Sequence, residues 1–173
     1  MNVFYNNKEI TDGEFISPQK SQLRPIVDYN DSLDTFFTLI LHDPDAPAGN
    51  HLHWVVINIP GNNINAGNTL LEYVGPAPEG SGIHRYIFLL LEQNEKKYPK
   101  TLERIMSMND LYDKINIRNL PKVAETYFTS RNQSAGKKKK RVKTRTLRKS
   151  KKNKKTKKNK QTKKRSARKT FLQ

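Results

Sequence analysis

Three runs of the chain, at 36–41, 54–59 and 86–91, are almost continuously apolar and rich in β-branched, aromatic or leucine side chains. Runs this short predict strands buried on both faces, because a helix needs about ten residues or more to bury a stripe. Between them lie 43–50, 61–68 and 75–82, dense in Pro, Gly, Asn and Asp, which favour turns and long loops. The pattern predicts a mostly β domain whose loops carry function. Residues 24–29 read as a further short strand, punctuated by Pro18 and Pro25, and 123–129 as another. Over 101–114 the helical spacing of Leu102, Ile105 and Met106 predicts a helix, and Pro121 ends any helix near it. Residues 130–136 form a polar exit, and no internal repeat is present.

Charge divides the chain in two. The 173 residues carry a net charge of +17, yet residues 1–136 hold 12 Lys and Arg against all 16 carboxylates, a balance of −4. Residues 137–173 hold 21 Lys and Arg and no carboxylate, with one aromatic, Phe171. A stretch of that composition cannot bury enough apolar surface to fold alone. The reading is therefore a folded domain over 1–131 and a disordered Lys/Arg-rich tail over 132–173. With no cysteine, disulfides, thiolate-ligated metals and cysteine nucleophiles are excluded. The first 15 residues contain Glu9, Asp12 and Glu14 and no apolar core, so they do not read as a secretory signal. The apolar runs also fall short of the roughly 20 residues of a membrane-spanning helix. These features predict an intracellular protein, cytoplasmic or nuclear.

The strand ends hold the candidate chemistry. Asp43 follows the first apolar run, and His53 and His84 precede the second and third. If both later strands run antiparallel to the first, the three residues meet at one rim of the sheet, with Tyr86 on the same face as His84. Such a cluster suits a small anion: imidazoles donate to phosphate, Asp43 fixes a ring in its donor tautomer, and 75–82 supplies backbone N–H groups. Arg85, alternating away from His84, is expected to brace an acidic loop residue, and Trp54 and Phe88 to fill the core.

Three motifs, DPDAP at 43–47, HWVVINIP at 53–60 and GIHRY at 82–86, resemble the phosphatidylethanolamine-binding protein family, which includes the Raf kinase inhibitor proteins and plant flowering regulators. The likeness extends to Ser17-Pro18 and Arg24-Pro25 upstream and to VAETYF at 123–128 downstream. It implies a mainly β fold, a β-sandwich around a large antiparallel sheet with peripheral short helices. It also implies an anion pocket made of Asp43, Asp45, His53, His84 and Tyr86, with Gly75 and Pro78 in the loop beside them. His51 stands where relatives often carry an aromatic. A protein kinase or protease partner enters as an expectation of the resemblance alone.

The same residues admit other readings. His51 and His53 share a strand face and His42, Asp43 and His84 lie near strand ends, but no spacing is diagnostic of a metal site. Ser81 precedes His84 without a nucleophile elbow. The expectation is a non-enzymatic binding and regulatory protein without cofactor, whose pocket takes a phosphorylated headgroup. Its basic run Lys137, Lys138, Lys139, Lys140, Arg141 and Lys143 resembles a nuclear localisation signal and is expected to engage nucleic acid or an anionic membrane surface. The alternative is a nucleic-acid packaging or architectural protein with the β domain as a passenger.

Overall fold

A computed structural model describes residues 1–30, 35–80 and 82–132. Expectations placed on Ser81 and on 133–173, the basic run included, lie outside the described residues. Two antiparallel sheets form the fold. Strands β1 (Asn2–Tyr5), β2 (Lys8–Glu9) and β3 (Ile26–Asp28) make a small sheet in the order β2-β1-β3. Strands β4 (Phe36–Asp43), β5 (His51–Pro60), β6 (Asn68–Leu71), β7 (Ile83–Gln93) and β8 (Lys122–Arg131) make a larger one in the order β6-β5-β4-β7-β8. The three apolar runs are thus its central strands. Each extends beyond its run into flanking residues, among them the buried polar side chains His42, Asp43, His53 and His84.

Both faces of the large sheet are covered, which is why β4, β5 and β7 read as unbroken apolar runs instead of alternating ones. On one face Phe37, Leu39, Leu41, Trp54, Val56, Tyr86, Phe88 and Phe128 pack against Val3, Tyr5 and Val27 of the small sheet. On the other, Ile40, Val55, Ile57, Leu89 and Leu91 pack against Leu102, Leu111, Ile115 and Ile117. Trp54 and Phe88 are core residues, as their sequence context predicts.

The helix expected over 101–114 is confined to α1, Met108–Lys114. Ser107 accepts from the Asp110 N–H at 3.1 Å and so caps it, with Lys114 in the last turn. Residues upstream are drawn elsewhere. Strand β6 pairs with β5 only along Val55, Val56 and Ile57, leaving the edge of β5 near His51 open. That edge is filled by 104–106, through Leu52 N–H to the Arg104 carbonyl (2.6 Å) and Met106 N–H to the Asn50 carbonyl (3.2 Å). Unmet backbone groups on a central strand outweigh a short helical pattern.

Two irregularities shape β5. Its register against β4 shifts between Phe37 and Leu39 and again between Leu41 and His42, inserting an extra residue into β5 each time. Asn58 sits at φ +56°, left-handed backbone that Asn tolerates better than most residues. Its side-chain oxygen accepts from Gln93 Nε2 (2.9 Å) and the Lys97 N–H (2.6 Å), and its Nδ2 donates to the Asn68 Oδ1 and the Lys97 carbonyl. Gln93 Oε1 in turn accepts from Thr38 Oγ1 and the Asn58 N–H, both at 2.8 Å. Gln93 is therefore the hub of a buried polar network. Gln93→Leu strands those donors, and the expected loss is about 2–4 kcal/mol in urea unfolding, whereas Glu92→Ala, at the exposed neighbouring position of β7, changes stability by less than about 0.5 kcal/mol.

Candidate functional site

The antiparallel pairing of β4 with both β5 and β7 brings the ends of three strands to one rim. Asp43 ends β4, Tyr86 lies on β7 two residues beyond His84, and the second register shift of β5 falls at His53. Because His53 is the extra residue in the pairing, both it and Trp54 reach the face that carries Tyr86. His53 meets Tyr86 edge to face, with centroids 5.1 Å apart.

Asp43 is the centre of the cluster. Its Oδ2 lies 2.7 Å from His84 Nδ1, and its Oδ1 accepts from the Asp45 N–H at 2.8 Å. The pair is almost closed to solvent, its side chains 4% and 5% exposed. Burial, followed by the charge of Asp43 and a hydrogen bond to it, pushes the Tyr86 hydroxyl pKa well up, so it stays a neutral donor. Asp45 turns outward. Its carboxylate accepts from Arg85 Nε (2.9 Å) and Nη2 (2.8 Å), and this Arg85 bond holds its pKa below the usual carboxylate range. Arg85 thus braces an acidic loop residue, as expected, and Asp45 stands at the edge of the cluster instead of inside it.

The loop carrying Gly75 and Pro78 is tied to both imidazoles through its flanking carbonyls. His53 Nδ1 donates to the Val74 carbonyl at 2.8 Å, and His84 Nε2 lies 3.2 Å from the Glu79 carbonyl. Backbone N–H donors were expected from this segment, and the structure presents acceptors to both rings. Gly75 is dictated by packing: a Cβ there would sit 2.8 Å from the Gln22 Cα beyond the 3-10 turn Pro18–Ser21. Gln22 Nε2 fastens the same turn to the loop through the Pro76 carbonyl at 2.9 Å. Gly75 and Pro78 are both buried. A cavity of about 480 Å³ between that turn and the loop shares Pro78 and Glu79 but is not lined by Asp43, His53 or His84.

Burial is the main reason that His53 is held near pKa 4, with the nearby His51 and Arg104 adding to the depression. The ring is therefore neutral at physiological pH, with its proton on Nδ1 and a lone pair on Nε2. His51 stacks on it at 4.6 Å and 25°, taking the place of an aromatic wall. Arg104 spans the backbone here, donating to the carbonyls of Leu52 (3.2 Å) and Glu72 (3.0 Å). Neither the His51 stack nor Arg104 was assigned from sequence, and nothing in the spacing marks Arg104, which reaches the site from a loop remote in sequence. His42, next to Asp43 in sequence, instead lines a cavity with Ile87 and Leu89 on the opposite face. Among the described residues no three His, Asp or Glu side chains gather as a metal site.

These features define a two-sheet antiparallel β domain with a buried carboxylate–imidazole cluster at one sheet rim. The chain belongs to the phosphatidylethanolamine-binding protein family, whose profile matches residues 6–131. It is 32% identical over 157 residues to Protein TERMINAL FLOWER 1 of Arabidopsis thaliana, covering 80% of this chain and 83% of that protein. It is 36% identical to Protein MOTHER of FT and TFL1 homolog 2 of Oryza sativa subsp. japonica, over 56% of this chain and 59% of that protein. A 26 kDa secreted antigen of Toxocara canis is 38% identical over 53% of this chain and 37% of the antigen. The relatives thus include a secreted protein. Among the described residues no helix is long and apolar enough to cross a membrane.

The depressed His53 makes stability fall in acid. The unfolded chain binds a proton at His53 below about pH 6.5, whereas the folded chain does so only near pH 4, so stability drops as pH falls through that window and is unaffected by His53 above it. His42 and His51, also depressed by burial, act in the same direction. Thermal midpoints of His53→Phe are expected to decline less steeply than those of the parent between about pH 6.5 and 4.5. Parallel declines would show that His53 is not held neutral.

Proposed function

We propose that this chain is a non-enzymatic binding and regulatory protein whose pocket takes a small anion, such as a phosphorylated headgroup. Asp43, His53, His84 and Tyr86 would form its floor, with Asp45, Gly75 and Pro78 around them. The observation that carries the reading is the buried Asp43–His84 pair. Asp43 accepts from His84 and from the Asp45 N–H, so it serves to orient and polarise the imidazole. The two rings offer a ligand different things. With Nδ1 donating to Asp43, His84 donates from Nε2 as well only as the imidazolium; in that form Nε2–H goes to a phosphoryl oxygen in exchange for the Glu79 carbonyl, and His53 Nε2, held as a lone pair, accepts from a P–OH. A donor beside an acceptor favours a monoprotonated phosphate over the dianion. Similarity to TERMINAL FLOWER 1 supports the regulatory reading, and a protein kinase or protease is the class of macromolecular partner that we assign to it.

Residues 132–173 form a separate functional segment in this proposal. The 21 positive charges of 137–173, beginning with the run 137–143, hold an acidic domain on nucleic acid or an anionic membrane surface inside the cell.

Phosphoethanolamine is expected to bind more tightly as pH falls from about 8 to 6, because the phosphate gains its second proton near pH 6 while His53 does not change. The sulfate ester of ethanolamine, which takes up no proton in this range, shows no such rise. His84→Ala weakens phosphoethanolamine by about 1–3 kcal/mol in a calorimetric titration. A flat or inverted pH profile for the phosphate overturns the reading.

For the basic segment, the logarithm of affinity for duplex DNA falls linearly with the logarithm of salt, with a slope of about −0.9 per phosphate neutralised. Duplexes of scrambled sequence compete equally, since phosphate contacts carry no base readout. Replacing the basic residues of 137–143 by Gln makes the slope shallower. Sequence-selective, salt-insensitive binding contradicts the proposal, and loss of the cellular role with phosphoethanolamine binding intact favours the architectural alternative.

A further inference from the structure

The reverse face of the sheet holds a second cavity, of about 380 Å³, between β7 and α1. Ile87, Leu89 and Leu91 of β7 form one wall, and Met108 and Tyr112 of α1 with Ile117 form the other. Arg118, Lys122 and Glu125 also line it. This volume is within the range of small-molecule pockets, roughly 300–1,000 Å³.

His42 also lines this cavity, although its neighbour Asp43 belongs to the cluster on the other face. The ring is only 8% exposed. Its Nδ1 is 2.6 Å from Asn50 Oδ1, and Asn50 Nδ2 donates to the Met106 carbonyl at 3.0 Å, which fixes the amide orientation. Asn50 Oδ1 can only accept, so Nδ1 of His42 carries the proton and Nε2 carries a lone pair. Among the described residues Nε2 has no hydrogen-bond partner, and His42 is one of the residues that line the cavity. Burial lowers the pKa of this ring and keeps the lone pair available near neutral pH.

The charged residues at the cavity are already matched. Arg118 is bidentate to Asp113, at 2.7 and 2.8 Å, and Lys122 pairs with Glu125 at 3.0 Å. A charged ligand would compete with these pairs, whereas a neutral one would not. His42 Nε2 therefore offers this largely apolar slot an acceptor that one ligand donor can meet.

We propose that this cavity is a second ligand site, for a small neutral molecule with an apolar body and one hydroxyl, a phenol or simple alcohol, whose O–H is accepted by His42 Nε2. The site is separate from the anion pocket and does not depend on the reading given to it. The test titrates the full-length protein with 4-ethylphenol and with 4-ethylanisole, which has the same body and no donor. It is followed by NMR of the His42 imidazole and of the Leu89 and Ile117 methyl groups. The phenol is expected to shift these signals and to bind at least about tenfold more tightly than the anisole, a difference of ~1.4 kcal/mol. His42→Phe abolishes the preference, and Met108→Trp, which fills the slot while keeping the His42–Asn50 bond, lowers the affinity for both molecules. Equal binding of the two probes, shifts that map outside the cavity, unchanged binding in Met108→Trp, or no binding at millimolar concentration overturns the proposal.

Discussion

The central position of β4, paired antiparallel on both sides, is the constraint on which the rest of the molecule depends. Antiparallel neighbours put the end of β4 beside the beginnings of β5 and β7, so residues distant in sequence must meet at one rim. Because successive side chains alternate between faces, the same strand end sends Asp43 to one face and His42 to the other. One short segment thereby supplies a polar group to each of two separate environments.

Backbone irregularity does the finer positioning. An unbroken β5 would alternate strictly, and His53 and Trp54 could not both reach the face of Tyr86. The extra residue at that point permits it, and a second one near Asn58 lets Val56 and Ile59 share the same core. Each irregularity leaves backbone groups to be satisfied. Near Asn58 the Gln93 and Lys97 network satisfies them, and near His53 the Arg104 segment and the Val74 N–H do so. Both devices supply polar partners within an otherwise apolar sheet, where an unpaired buried group would cost about 1–3 kcal/mol.

Burial also separates the roles of the histidines. His53 donates to a carbonyl and is kept neutral, His84 is clamped by a carboxylate, and His42 is locked by an amide. Identical side chains thus present unlike groups to a ligand, because their second partners differ. Membership of the phosphatidylethanolamine-binding protein family fixes the protein class, while the local hydrogen bonds give each ring its chemistry.

The apolar runs, their turn-rich separators and the motifs around Asp43, His53 and His84 were enough to indicate a mainly β fold, the family and the residues at the rim. These features were legible because strand burial and strand ends are local properties of sequence. The division between a −4 portion and a strongly basic segment was equally a matter of counting. The helix expected over 101–114 forms only from Met108, because Leu102, Ile105 and Met106 also suit a segment docked on an open strand edge, and only the short reach of β6 shows that the edge is open. The carbonyls of Val74 and Glu79 facing the imidazoles, the His51 stack and the Arg104 brace were decided by tertiary structure. Each depends on register, on a bulge or on a contact between residues far apart in the chain, and sequence periodicity carries no record of where such contacts close.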